Sequence, residues 1–319
     1  MKEPVNHHFV PQGYLRGFAD GTGSKARVWV ADRTKADPFP TNIRNVAAQR
    51  DFNRINPIPG GDPYALEKAM GQLEGQVAPA LRRSDEAAAF ASDEDRQLIL
   101  TLIGHLAIRN PRFRKNVGDA LVQSARIIND ITLSSKERYE SAMRGAMADG
   151  AFGPDHSIIP YEEMKDFIDR GEYEIVPDQT FQIEMELKNL DHVVELLFHR
   201  KWSWYRAADA AGDFITSDHP MCLFDVSGRK PHPLYGVGLG MTQTAVLFPI
   251  GRKTALIGRF EGEEGIHEIG SREVAAMNSE VILRAQRQVY AYDDRFNYIG
   301  NGGWMPGHML PLDPIFRRD

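Results

Sequence analysis

Arg27-Val28-Trp29-Val30 lies between two turn-forming stretches, Asp20-Gly21-Thr22-Gly23 and Asp32-Arg33-Thr34, and the partner this strand finds decides the fold. β-Branched and aromatic side chains suit a pleated, half-buried strand. An isolated pair of strands is at best marginal in water, so this one has to be completed from elsewhere. Its natural partners come after Trp202. Trp202-Ser203-Trp204-Tyr205, Phe214-Ile215-Thr216, Ala245-Val246-Leu247-Phe248, Ala255-Leu256-Ile257 and Val289-Tyr290-Ala291-Tyr292 are all short β-like runs. The economical solution is an α+β protein, in which N- and C-terminal segments build a mixed or antiparallel sheet. The expected organisation is a single domain over 1–319, with β-rich parts at 1–60 and 201–319. A helical layer or subdomain occupies 61–200.

Helical periodicity fills that middle part. Leu66, Met70, Leu73 and Val77 form one apolar stripe. Ser92 followed by Asp95 resembles a capping box ahead of Leu98, Leu102 and Leu106. Pro111 disfavours a helical residue before it, so that helix stops near Arg109-Asn110. Val117, Leu121, Ala125 and Ile128 mark the next helix, and shorter ones start at Ser134 and near Pro160. A long helix begins after Pro177 with Asp178 as cap and runs to about His199. Another spans about Arg272 to Arg287. A proline and glycine cluster from Pro57 to Pro63 separates the N-terminal part from the helices.

Composition narrows the function classes. The chain has 319 residues, 42% hydrophobic and 26% charged, with a net charge of -6. That balance argues against a surface coated with positive charge for general nucleic-acid or membrane binding, though a local basic groove stays open. Cys222 is the sole cysteine, which rules out an intrachain disulfide and a cysteine-based zinc site. The start of the sequence has no apolar stretch of signal-peptide type, and runs such as Leu98-Ile99-Leu100 are far too short to span a membrane. A soluble, cytoplasmic protein with no membrane partner is expected; the oligomeric state is left open.

The segment richest in chemistry is His7-His8-Phe9-Val10-Pro11. Imidazoles supply neutral nitrogen ligands or carry protons near neutral pH. Pro11 favours extended backbone before it, so the two rings point to opposite faces and only one enters a given pocket. The competing reading is a solvated terminus, against which Phe9, Val10, Tyr14, Leu15 and Phe18 stand as anchors. His-His-x-Val-Pro also resembles the opening of His-Asn-His nucleases. The next histidine, His105, falls inside a helix and no ββα arrangement follows, so that assignment fails.

Asp218-His219-Pro220 follows a strand, where a carboxylate beside an imidazole suits metal binding or acid–base work. A plain Asx-turn with His219 exposed is the bland alternative. Glu74 adjoins the apolar stripe of its helix and calls for a cation if buried. Arg109, Arg112 and Arg114 surround the break at Pro111, where guanidinium forks suit phosphate or carboxylate groups as well as surface ion pairs. Asn278 sits among Val274, Met277, Val281, Ile282 and Ala285, so its amide is buried and needs partners. It either stitches helix to sheet or orients a substrate. His192, Glu195 and His199 lie opposite an apolar stripe and read as solvated. Gly236-Val237-Gly238-Leu239-Gly240 lacks the spacing of a dinucleotide fingerprint.

Several segments together resemble a known family. They are His8-Phe9-Val10-Pro11-Gln12-Gly13-Tyr14-Leu15-Arg16-Gly17-Phe18, Asn45 to Phe52, Leu73-Glu74, Arg109-Asn110-Pro111-Arg112, Thr216-Ser217-Asp218-His219-Pro220, and Asn278 followed by Val289-Tyr290-Ala291. This is similar to the uncharacterised microbial family called domain of unknown function 4238. The resemblance groups these residues but implies no chemistry. Members of that family often carry glutamate where this chain has Gln49, so no carboxylate is expected there.

The functional expectation is a hydrolase acting on a phosphate-bearing or nucleic-acid substrate, with a divalent metal as the cofactor class it would use. His8, Glu74, Asp218 and His219 would move protons. His7, His8 and Asp218 would supply metal ligands. Arg109 and Arg112 would hold the anion, and Asn278 would orient it. The alternatives are a non-catalytic binding or regulatory protein, and a toxin or defence protein with a host target.

Overall fold

The structure is a computed structural model that describes residues 5–56, 59–152, 157–228 and 236–317. The turn cluster expected from Pro57 therefore begins outside the described residues. In chain order the elements are β1 (Asn6–His8), α1 (Gln12–Leu15), β2 (Arg27–Asp32), β3 (Phe39–Asn42), β4 (Ala48–Arg50), α2 (Ala65–Ala87), α3 (Asp93–Ile108), α4 (Pro111–Thr132), α5 (Lys136–Ala148), α6 (Tyr161–Arg170) and α7 (Gln179–Phe198). There follow β5 (Lys201–Ala207), β6 (Thr216–Ser217), β7 (Cys222–Asp225), β8 (Thr244–Pro249), β9 (Thr254–Arg259), β10 (Ile266–Ile269), α8 (Ser271–Arg284), β11 (Gln288–Ala291), β12 (Asn297–Gly300) and β13 (Gly303–Pro306).

The α+β class holds, and β2 finds its partner where the sequence points. Among the described residues a four-stranded sheet runs β3-β2-β11-β6, with Val30 opposite Tyr290 and Tyr290 in turn opposite Thr216. A second, five-stranded sheet runs β10-β5-β9-β8-β7 and is antiparallel except where β10 meets β5. β1 pairs with β4, placing His7 across from Gln49.

Two compact units emerge: one of residues 1–111 and 183–319, the other of 112–182. In the larger unit the core is continuous from Val10 through the sheets to Phe316. Tyr14 joins its parts. Its hydroxyl meets Thr216 Oγ1 at 2.7 Å, donates to the Pro249 carbonyl at 2.8 Å, and its ring stacks on Phe248 at 5.0 Å. α1 is thereby clamped to both sheets.

α2 and α3 belong to this unit too, and the Ser92 hydroxyl caps α3 by accepting the Asp95 N–H as expected. In the smaller unit, Tyr139 Oη donates to the Ile159 carbonyl and Tyr161 Oη to that of Leu133. Ile127, Ile128 and Ile131 of α4 stay exposed, so its apolar stripe is only partly covered.

Two helix ends differ from the sequence reading. α5 is capped by Ser135 rather than Ser134. α8 stops at Arg284, three residues before the expected Arg287, because Gln286, Arg287 and Gln288 give their N–H groups to Asp218 instead of to a helical carbonyl. Cys222 is a buried free thiol. Among the described residues no helix is long and apolar enough to cross a membrane.

Candidate functional site

β1 is the start of the site. Alternation along a strand sends His7 and His8 to opposite sides. His7 is fully buried: its Nδ1 accepts the Asn53 N–H at 2.9 Å and its ring stands edge-on to Tyr64. His8 faces α2 and α3 and lines a cavity of about 110 Å³. Gln12, Glu67, Glu74, His105 and Arg109 supply the other polar walls, with Leu73, Val77 and Leu102 as apolar lining.

Each wall has a local cause. Glu67 and Glu74 are seven residues apart on α2, two helical turns on one face. Glu74 Oε1 accepts the Gly13 N–H at 2.6 Å. Glycine is needed at that position, since a Cβ would stand 2.7 Å from Ala78 Cβ. Glu67 Oε2 accepts from Asn53 Nδ2 at 2.6 Å, and Asn53 Oδ1 receives Arg109 Nη1 at 3.0 Å. Arg109 Nη1 also approaches the His8 carbonyl at 3.5 Å. Asn53 thus ties the histidine segment, the acidic helix and the arginine together.

The electrostatics favour uncharged imidazoles here. Burial lowers the His8 pKa below the ordinary 6.5; Glu74, Glu67 and the carbonyls of Arg44 and Ile43 oppose it and are outweighed. His8 Nε2 is buried and has no hydrogen-bond partner among the described residues. His105 is lowered to about 4, first by burial and then by the Arg109 charge.

The other expected residues are elsewhere. Asp218 lines a separate groove of about 600 Å³, shared with Gln49, Asp32 and Arg287. Its two oxygens accept the N–H groups of Gln286, Arg287 and Gln288 at 2.8–2.9 Å. Burial raises its pKa despite those three bonds. This is a link to a distant strand, not the local Asx-turn. The neighbouring turn is formed by Ser217 Oγ, which accepts the N–H of half-buried His219.

Beside Asp218, Asp32 takes Arg287 as a fork at 2.9 and 2.8 Å. Burial opposes ionisation of Asp32, but Arg287, Gln288 and Thr34 outweigh it and hold the carboxyl well below the usual range. Asn278 is fully buried: its Oδ1 accepts from Ile215 N, and its Nδ2 donates to the Asp213 and Asn297 carbonyls. It stitches α8 to its neighbours. Arg112 belongs to the other unit.

The structure therefore brings together His8, Glu74 and Arg109, and leaves Asp218, His219 and Asn278 out of that cavity. The ligand set His7, His8 and Asp218 is not assembled, because His7 turns away from His8 and Asp218 is spent on backbone. Among the described residues no three of His, Cys, Asp and Glu are grouped so as to hold a metal ion. Sequence reasoning passed over Glu67, Gln12 and His105 as wall residues. The available signal for His105 was its place beside Leu102 and Leu106 on a buried helix face, and for Glu67 the seven-residue spacing to Glu74.

Neither the curated proteins nor the solved structures contain a match to this chain. A family model does match it, over residues 6–295, and its description is protein of unknown function, DUF4238. That span carries β1, the Glu74 helix, Arg109 and the Asp218 loop alike, and the chain belongs to the DUF4238 family.

Proposed function

We propose that this protein is a hydrolase of phosphate-bearing substrates, using His8 as general base. One observation carries the reading: His8 lines the cavity, its Nε2 is buried with no hydrogen-bond partner among the described residues, and burial favours its neutral imidazole. A base held in that state is ready to take a proton from water or a hydroxyl group. Glu74 favours the imidazolium that results. Arg109, held by Asn53, is the cation of the cavity and would face developing negative charge. Asp218, His219, Asn278 and Arg112 take no part in the proposed step. The single cysteine, a buried free thiol, suits a cytoplasmic setting.

The test is a turnover screen with bis(p-nitrophenyl) phosphate, p-nitrophenyl phosphate and single-stranded RNA and DNA. At least one should be cleaved, with His8→Gln slowing it by roughly 10²–10⁴-fold. The rate should rise with pH through a His8 pKa below 6.5. Glu74→Gln removes a charge that favours imidazolium, so it should move that rising limb to lower pH. A chain that cleaves none of these substrates, or a His8→Gln variant at full rate, sinks the proposal.

A further inference from the structure

α1 and α2 meet through Gly13, and their other flank forms a second cavity in the larger unit, of about 380 Å³. That is within the size range of small-molecule sites. Arg16, just beyond α1, and Arg82, on α2, both line it. The close approach depends on two glycines: a Cβ on Gly13 would stand 2.7 Å from Ala78 Cβ, and one on Gly17 2.9 Å from the Ile250 carbonyl.

Most arginines with a cavity or core position here are spoken for. Arg287 forks onto Asp32, Arg109 donates to Asn53 Oδ1, and buried Arg200 donates to the carbonyls of Thr244 and Gly258. Arg16 and Arg82 are different: both are exposed at the cavity, and among the described residues neither guanidinium has a hydrogen bond or an ion pair. The acid in the same cavity, Asp85, does not engage them. It accepts a hydrogen bond from Thr254 Oγ1 instead. Burial, joined by the nearby Glu86 charge, raises its carboxyl above the usual value, against the Thr254 hydrogen bond and the Arg206 charge.

Two forks arriving from different elements need a ligand with more acceptor faces than one carboxylate offers. A phosphate group has them. We propose that the Arg16–Arg82 cavity is a phosphate-binding site, where a phosphate group of the ligand is held by the two guanidinium groups. The site shares its substrate class with the hydrolase reading, but binding there does not require turnover.

The experiment is equilibrium titration of the full chain at low salt with pyrophosphate, adenosine 5′-monophosphate, adenosine and a short single-stranded oligonucleotide. The three phosphate-bearing probes should bind and adenosine should not. Arg16→Gln and Arg82→Gln should each weaken binding roughly tenfold, and the double variant should abolish it, with an unchanged melting temperature. Lysine at both positions should restore part of the affinity, because charge survives and the fork does not.

An oligonucleotide that binds more tightly than the mononucleotide, with a steeper salt dependence, makes nucleic acid the source of the phosphate. Equal affinity makes it a small phosphate ester. Failure of wild type to bind any of the phosphate-bearing probes overturns the site, as does a double variant with wild-type affinity. Arginine-dependent binding with no turnover would leave this site standing and remove the hydrolase reading. Turnover with arginine-independent binding would do the reverse.

Discussion

Asn278 uses its whole amide inside the protein, accepting from Ile215 N at 3.1 Å and donating to the carbonyls of Asp213 at 3.0 Å and Asn297 at 2.9 Å. Its truncation to alanine strands one buried donor and two buried acceptors, so Asn278→Ala should cost about 3 kcal/mol, read as a lower urea midpoint. Its neighbour in consequence is His105. The unfolded chain protonates such a histidine near 6.5, whereas the folded chain resists until about 4. Stability present above pH 6.5 should therefore fall as pH drops through that window, and His105 contributes no further loss below it. His105→Gln should flatten this part of the stability curve by on the order of 3 kcal/mol, checked by denaturation at a series of pH values. A variant that keeps the wild-type slope would show that another group sets the acid limb.

At the scale of elements, Asp218 decides where α8 ends and β11 begins. Three successive N–H groups that a longer helix would use internally are collected by one carboxylate some seventy residues earlier in the chain, as sequence separations of 68, 69 and 70 show. Apolar spacing predicts α8 to about Arg287 because nothing local forbids it. Asp218→Ala should leave those donors bare and cost more stability than Asp218→Asn, which keeps one acceptor oxygen; unfolding midpoints and hydrogen exchange at residues 286–288 check both. The pairing of β2 with the C-terminal half was legible because a run of Val-Trp-Val cannot stand alone. β7, β10, β12 and β13 were not, since strands of four residues with mixed burial carry too little alternation to stand out.

Across the whole molecule, the candidate site was half legible. His8, Glu74 and Arg109 do line one cavity, and each showed itself as a polar group at the margin of an apolar pattern. Asp218 and Asn278 looked equally chemical but are occupied by backbone groups, and residue type alone does not reveal a backbone partner. Arg16 and Arg82 are exposed, as an arginine at a helix surface is expected to be, and only the cavity that they share sets them apart.

The four-stranded sheet carries a further consequence, for the way the chain is made. Val30 waits for Tyr290, so the hairpin of β2 and β3 leaves the ribosome long before β11, its other neighbour, has been synthesised. A chain halted at Arg284 should stay protease-sensitive while the full chain resists, as pulse proteolysis would read. Until that last strand emerges, the open edge of β2 is a surface for mispairing, and a chaperone that shields it during translation is the help this topology calls for.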